Sequence, residues 1–147
     1  MVRQATENDL EQLCHLFDAY RVFYLKGSDI EAAHKFLKDR IEKKESVIYV
    51  DEENEKLTGF TQLYPLFSST RMQRSWLLND LYVLPEFRGR DISKKLIAAA
   101  RLLAKQTGAA GILLETERTN DIGNRLYPAA GFQLYHETNF YWWENEQ

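Results

Sequence analysis

Apolar residues in the first third of the chain recur every three to four positions. Leu10, Leu13, Cys14, Phe17, Tyr20 and Tyr24 fall on one helical face. Thr6 and Asp9 precede that face at the spacing of a capping box, and Gly27 is placed to break the helix. Ser28 and Glu31 repeat the capping signal and predict a second helix to about residue 44, with Ala33, Leu37 and Ile41 inward. Residues 2–5, ahead of both, predict a short strand. Beyond 46 the period shortens. Stretches 47–50 and 57–64 flank a charged turn at 51–56 and predict an antiparallel hairpin. Residues 65–74 read as a polar loop. Residues 76–83 are almost continuously apolar, as a central strand covered on both faces must be, and are interrupted only by Asn79 and Asp80. A helix is predicted over 92–106, with Leu96, Ile97, Ala100, Leu103 and Ala104 inward and Gly108 just past its end. A buried strand at 112–116 follows. A short helix at 120–127 then stops near Pro128 and Gly131, before a last strand pair at 132–136 and 140–143. This order, without repeat or linker, predicts one α/β domain spanning 1–147 on a mixed sheet.

Composition narrows the function classes. A chain of 147 residues, 44% hydrophobic and 28% charged, has the makeup of one ordinary globular domain. A formal net charge of -3 indicates no general nucleic-acid surface. No apolar run approaches the roughly 18 residues of a membrane span, and the polar start lacks the core of a signal peptide, so no membrane partner is expected. The single cysteine, Cys14, can form no internal disulfide, which predicts a reducing, cytoplasmic setting. His15, His34 and His136 are scattered, and no metal site is expected. Tyr141, Trp142 and Trp143 read as core or as the surface of a homodimer.

The stretch from Leu81 to Leu96 carries the chemistry: buried strand, tight loop, amphipathic helix. A helix start presents unpaired N–H groups and the positive end of the dipole, and Arg88, Arg90, Lys94 and Lys95 add charge there. A pyrophosphate fits that arrangement; so does a solvated basic helix start with no ligand. Neither G-x-x-x-x-G-K-[ST] nor G-x-G-x-x-G occurs, which removes the P-loop and dinucleotide readings.

The passage NDLYVLPEFRGRDISKKL resembles the acetyl-CoA loop of GNAT acetyltransferases, Arg/Gln-x-x-Gly-x-Gly/Ala after a strand. Arg88 takes the first place, with Asp91 and Ser93 where glycine and glycine or alanine are usual. Downstream, Asn120, Leu126, Tyr127, Gly131 and Phe132 match the family's N-x-x-A-x-x-L-Y-x-x-x-G-F, with Gly123 in place of alanine. The resemblance covers essentially the whole chain. FDAYRVFY and LNDLYV look most like the branch of the yeast histone and polyamine acetyltransferases.

The resemblance implies a GNAT fold: a mixed, mostly antiparallel sheet of six to seven strands, splayed at the centre and flanked by about four helices. It implies acetyl-CoA as co-substrate and a primary amine as acceptor, with a non-catalytic acyl-CoA-binding module as the alternative. Pantetheine would lie against the backbone of Leu81, Tyr82 and Val83. The pyrophosphate would sit on N–H groups of Arg88, Gly89, Arg90, Asp91, Ile92, Ser93 and Lys94. Asn120 would contact the cofactor or simply cap its helix. Tyr127 matches the tyrosine that protonates the leaving thiolate; otherwise it is a core tyrosine. For the base, Asp80 at the polar break of a buried strand is one candidate, Glu115 another, and a water relay a third. Phe17, Tyr20, Tyr24 and the 65–74 loop are expected to line the acceptor pocket. Asp91 is expected to cap the helix through the N–H of Ser93 or Lys94.

Overall fold

The computed structural model describes residues 1–147, which divide into two compact units, Met1–Glu115 and Thr116–Gln147. The first unit is built on a sheet of five strands in the order β1 (Val2–Gln4), β2 (Val47–Glu53), β3 (Lys56–Ser68), β4 (Gln73–Val83) and β5 (Ile112–Leu113). The first four are antiparallel and β5 joins β4 in parallel. Helices α1 (Leu10–Phe23) and α2 (Ile30–Glu42) cover one face, where Leu13, Phe17 and Leu37 bury Ile48, Val50 and Phe60. Helix α3 (Ile92–Gln106) covers the other, where Ile92 and Leu96 pack on Val83 and Leu81. All five residues expected to face inward from α3 are buried.

The three helices of this unit end in the same hydrogen-bonded turn. After α3, Ala109 N–H reaches Ala104 O at 2.9 Å and Gly108 N–H reaches Lys105 O at 3.3 Å, with Gly108 at φ 63° as the sequence predicts. At α1 the left-handed position falls on Leu25 (φ 61°), ahead of Gly27, and at α2 on Lys44 (φ 52°). The start of α2 also differs from expectation. Asp29, not Ser28, is the N-cap, accepting from Ala32 N–H at 3.0 Å. Ser28 Oγ instead donates to the buried carboxylate of Asp18 at 2.7 Å, and Asp29 N–H donates to its other oxygen.

The predicted 65–74 loop is mostly strand. β3 and β4 continue together to Ser68↔Gln73, so only the turn between them remains. Pro65 is tolerated because it lies beyond the last β2–β3 pair, Val47↔Leu63, where its missing N–H breaks no ladder to β2. The Arg74 guanidinium lies over Phe67 at 5.1 Å and over Trp76 at 5.2 Å, covering what composition alone reads as polar.

In the second unit, α4 (Asp121–Ala129) runs through Pro128 instead of stopping before it. The strand pair expected at 132–136 and 140–143 does not form, so the sheet has five strands, not six to seven. Alternating apolar residues mark a strand only when a ladder and a covering layer complete it. Here Leu134, Phe140, Tyr141, Trp142 and Trp143 are all exposed.

Candidate functional site

β4 leaves its neighbour partway along. Its parallel pairing with β5 covers only Trp76↔Ile112 and Leu77↔Leu113, while its pairing with β3 continues to Gly59↔Val83. From Leu78 to Val83 one side of β4 therefore carries no ladder. Such an edge presents N–H and C=O groups at strand spacing to whatever lies beside it. Leu81, Tyr82 and Val83 all belong to this stretch. Gly59 keeps β3 close to it: a Cβ there would stand 2.8 Å from Tyr82 O and 3.4 Å from a methyl of Ile92.

The chain then makes a 3-10 turn (Pro85–Phe87) and enters α3 through Gly89 (φ 78°) and Asp91 (φ 60°). Both residues hold left-handed backbone, which asparagine and aspartate tolerate better than most side chains. The expected cap does not form. The Asp91 carboxylate makes no bond to the helix and pairs with Lys94 Nζ at 2.8 Å. Hydrogen bonding to Lys94 holds its pKa below the usual carboxylate range. The first turn of α3 thus has no side-chain cap, which suits an anion site. Arg88 folds back: Nε donates to Val83 O at 3.0 Å, and its guanidinium lies 5.5 Å from the ring centre of Tyr82 and 5.7 Å from that of Phe23. Arg90 pairs with Glu53 at 3.3 Å. Ile92 is buried, Ser93 half-buried, and Lys94 exposed.

Asp80 is placed by a bulge that sequence periodicity cannot see. Leu78 opposes Leu63 and Asp80 opposes Gln62, so Asn79 is an extra residue in β4. Leu63 and Gln62 are neighbours on β3 and face opposite ways. Leu78 accordingly points to the α3 side, and Asp80, two residues on, to the α1–α2 side. There Asp80 lines a cavity of about 260 Å3 with Phe17 and Tyr20 of α1, its C-cap Tyr24, Phe36 of α2 and Tyr64 of β3. Asn79, Arg21 and Lys26 complete its wall.

The carboxylate is only 3% exposed, and each oxygen accepts a hydrogen bond. Gln62 Nε2 donates to one oxygen at 2.6 Å and Asn79 Nδ2 to the other at 2.9 Å. Ser46 Oγ donates to Gln62 Oε1 at 2.8 Å, which fixes the amide so that its NH2 faces Asp80. Burial raises the Asp80 pKa, against hydrogen bonds from Gln62, Asn79 and Tyr20 that hold it down. Burial, and next the Asp80 charge, pushes the Tyr64 phenol up to about 12. It stays protonated across the neutral range.

Phe17, Tyr20 and Tyr24, which share one helical face, line this cavity. The 65–74 segment does not; its residues border a separate depression at the hairpin tip. Glu115 is exposed and lies two residues past β5, outside the cavity wall. The sequence reading missed Gln62, Ser46, Tyr64, Phe36, Arg21 and Lys26. Only Phe36 left a signal, as an aromatic within an amphipathic helix.

The second unit explains its own motif. Asn120 Oδ1 accepts from Gly123 N–H at 3.1 Å, capping α4, while its Nδ2 donates to Thr116 Oγ1 at 2.9 Å. Gly123 lies close beside it: a Cβ there would stand 2.6 Å from Asn120 Nδ2, so a larger residue needs that side chain to shift. At the other end, Phe132 N–H reaches Tyr127 O at 3.1 Å, Gly131 N–H reaches Pro128 O at 3.0 Å, and Gly131 has φ 96°. The Phe132 ring meets that of Tyr127 edge-on at 6.0 Å. The Tyr127–Gly131–Phe132 frame is thus a glycine C-cap with its hydrophobic contact, and it fixes the half-buried Tyr127 at the end of α4.

The acetyltransferase (GNAT) family profile matches residues 10–132. The uncharacterized N-acetyltransferase YhfO of Bacillus subtilis (strain 168) is 44% identical over 132 residues, 90% of this chain and 89% of that protein. The crystal structure of a probable acetyltransferase, 37% identical, superposes with a TM-score of 0.94 over 100% of this chain and 99% of that one. The aminoglycoside N-acetyltransferase AAC(6')-Iy in complex with CoA shares the fold at 21% identity, with a TM-score of 0.82 over 99% of this chain and 95% of that one. The profile, the relative and the superposed structure agree over nearly the whole length: the chain is an N-acetyltransferase of the acetyltransferase (GNAT) family.

Proposed function

We propose that the protein transfers the acetyl group of acetyl-CoA directly to a primary amine. The observation that carries this reading is the Asp80 carboxylate, buried in an aromatic cavity on the same stretch of β4 that has lost its β5 partner. The CoA complex of a protein with the same fold supports acetyl-CoA as the donor.

On the open side of β4 the backbone groups of Leu81 and the N–H of Val83 suit the amides of a pantetheine arm; the Tyr82 carbonyl between them faces Gly59 of β3, and the Val83 carbonyl accepts from Arg88. Arg88 to Lys94, with two left-handed residues and an uncapped helix start, suit a pyrophosphate. Asn120 contributes by holding the start of α4. An alkyl ammonium has a pKa near ~10 and must lose a proton before it attacks. Asp80, its pKa raised by burial, takes that proton directly or through one water. The nitrogen then attacks the thioester carbon. A C–N bond forms and the C–S bond breaks; the departing thiolate takes a proton, for which the Tyr127 hydroxyl is our donor, and the second proton shed by the acetylated nitrogen returns through solvent to restore the phenol. The products are the N-acetyl amide and CoA thiol, with the ammonium's proton passed to solvent. A strand N–H near Val83 would stabilise the developing oxyanion.

Two measurements test this. CoA should raise the melting temperature, as any ligand selective for the native state must. Thiol release from acetyl-CoA should depend on an added amine. An unchanged melting temperature at millimolar CoA, or thiol release indifferent to every amine, overturns the reading.

A further inference from the structure

Three groups on the cavity wall carry charge: Asp80 at the strand, and Arg21 and Lys26 at the end of α1. The helix terminus sets the backbones of the two cations side by side. The closing hydrogen bond of the α1 C-cap runs from Lys26 N–H to Arg21 O at 2.9 Å, across the left-handed Leu25. Arg21 Nη1 also donates to Gly27 O at 3.1 Å, and Asp18 anchors the following turn through Ser28 and Asp29. Cations at a helix C-terminus are favourable for the dipole alone. The dipole does not require both side chains to line the same cavity as a buried carboxylate. Arg40, near Tyr64, is paired with Glu45 at 3.4 Å and belongs to a separate ion pair.

Resting on the acetyltransfer reading above, we propose that the acceptor is a small amine carrying its own anionic group. Its nitrogen is delivered to Asp80 past the faces of Tyr20 and Tyr24, and its carboxylate or phosphate is held by Arg21 and Lys26. Two cations against one carboxylate give the cavity an excess of positive charge in a protein whose formal net charge is -3. That polarity repels polyamines and aminoglycosides, which are polycations, and attracts a zwitterion.

The test uses acceptors matched in length and amine basicity: ω-amino acids of four to six carbons, the corresponding ω-aminoalkyl phosphates, and the ω-amino acid amides, with spermidine and an aminoglycoside alongside. Thiol release is followed for the intact protein. The expected result is a kcat/KM at least about 10-fold higher for the anionic acceptors than for the amides, the difference lying in KM, as loss of a charge-paired contact predicts. The carboxylate and phosphate arms decide which anion is preferred. Lys26→Glu should bring the acid-to-amide ratio to one or below. Arg21→Gln should lower that ratio and Arg21→Lys should restore much of it, with melting temperatures checking that each variant folds. Equal or better turnover of amides or polycations by the wild type, or an unchanged ratio in Lys26→Glu, overturns the acceptor assignment and leaves acetyltransfer standing. No turnover of any amine overturns acetyltransfer, and the acceptor assignment falls with it.

Discussion

Asp80 and Asp91 are both aspartates beside the same strand end, and their surroundings drive them apart. Asp80 is buried with a raised pKa; Asp91 is exposed, with a lowered one. A base must be unprotonated to work, so kcat/KM should fall as pH drops through the Asp80 pKa, at a pH above the ordinary carboxylate value of ~3.9. Asp80→Asn should lose about 100-fold or more in turnover and flatten that acidic limb, checked by pH profiles of the two proteins. Asp91 offers a contrasting test. Its carboxylate caps nothing, and its φ of 60° favours glycine. Asp91→Gly should therefore bind CoA several-fold more tightly, through removal of one screened negative charge, without loss of melting temperature. Calorimetry at low and high salt measures it, and the gain should shrink as salt rises.

At the scale of elements, Gly59 decides how closely β3, β4 and α3 meet. Gly59→Ala forces a Cβ against the Tyr82 carbonyl, and overpacking of that kind costs about 1–3 kcal/mol. Urea denaturation should show the loss, and CoA affinity should fall with it, since Tyr82 lies on the unpaired stretch. Elements with an unbroken period were legible from sequence: α3 with its inward residues and Gly108, the β2–β3 hairpin, and the aromatic face of α1. Elements defined by a partner were not. Pro65 and the polar residues around it hid a strand whose stability comes from pairing with β4, and Phe140 to Trp143 suggested one that no ladder completes. In the site, Tyr127 and Asp80 stood out as single residues. Gln62, Ser46 and Lys26 did not, because their roles arise from cross-strand register and a helix cap, which no local pattern encodes.

For the whole molecule, acid sensitivity follows from opposed carboxylates. Arg3 grips Asp9 with two nitrogens, at 2.8 and 2.7 Å, and also donates to Glu52 at 2.7 Å, tying β1 to the start of α1 and to β2. The hydrogen bonds from Arg3 lower the Asp9 pKa. That contribution is present above the unfolded value of ~3.9 and is lost as pH falls through the lower folded one. Asp80 has the opposite sign: its raised pKa costs stability once pH exceeds the unfolded value. Asp9→Asn should lower the melting temperature at pH 7 and make the curve flatter toward acid, a comparison that scanning calorimetry reads directly. The exposed tryptophans near the C-terminus make a further expectation. The homodimer that the aromatic tail suggests should appear in sedimentation at micromolar concentration and weaken in a Trp142→Ser, Trp143→Ser double variant.

The Asn79 bulge has an unusual genetic corollary. Leu78 and Asp80 already oppose adjacent residues of β3, so excising Asn79 would leave them in an ordinary, uninterrupted ladder. The sheet would lose nothing it needs. The cavity would lose the amide that donates to Asp80 and the carbonyl that receives the Tyr20 hydroxyl at 3.3 Å. A one-codon deletion should thus separate folding from catalysis more cleanly than most substitutions, giving a soluble, CoA-binding, inactive protein. Where a homologue's alignment shows a single-residue gap at this point, we expect its chemistry to have moved to another base.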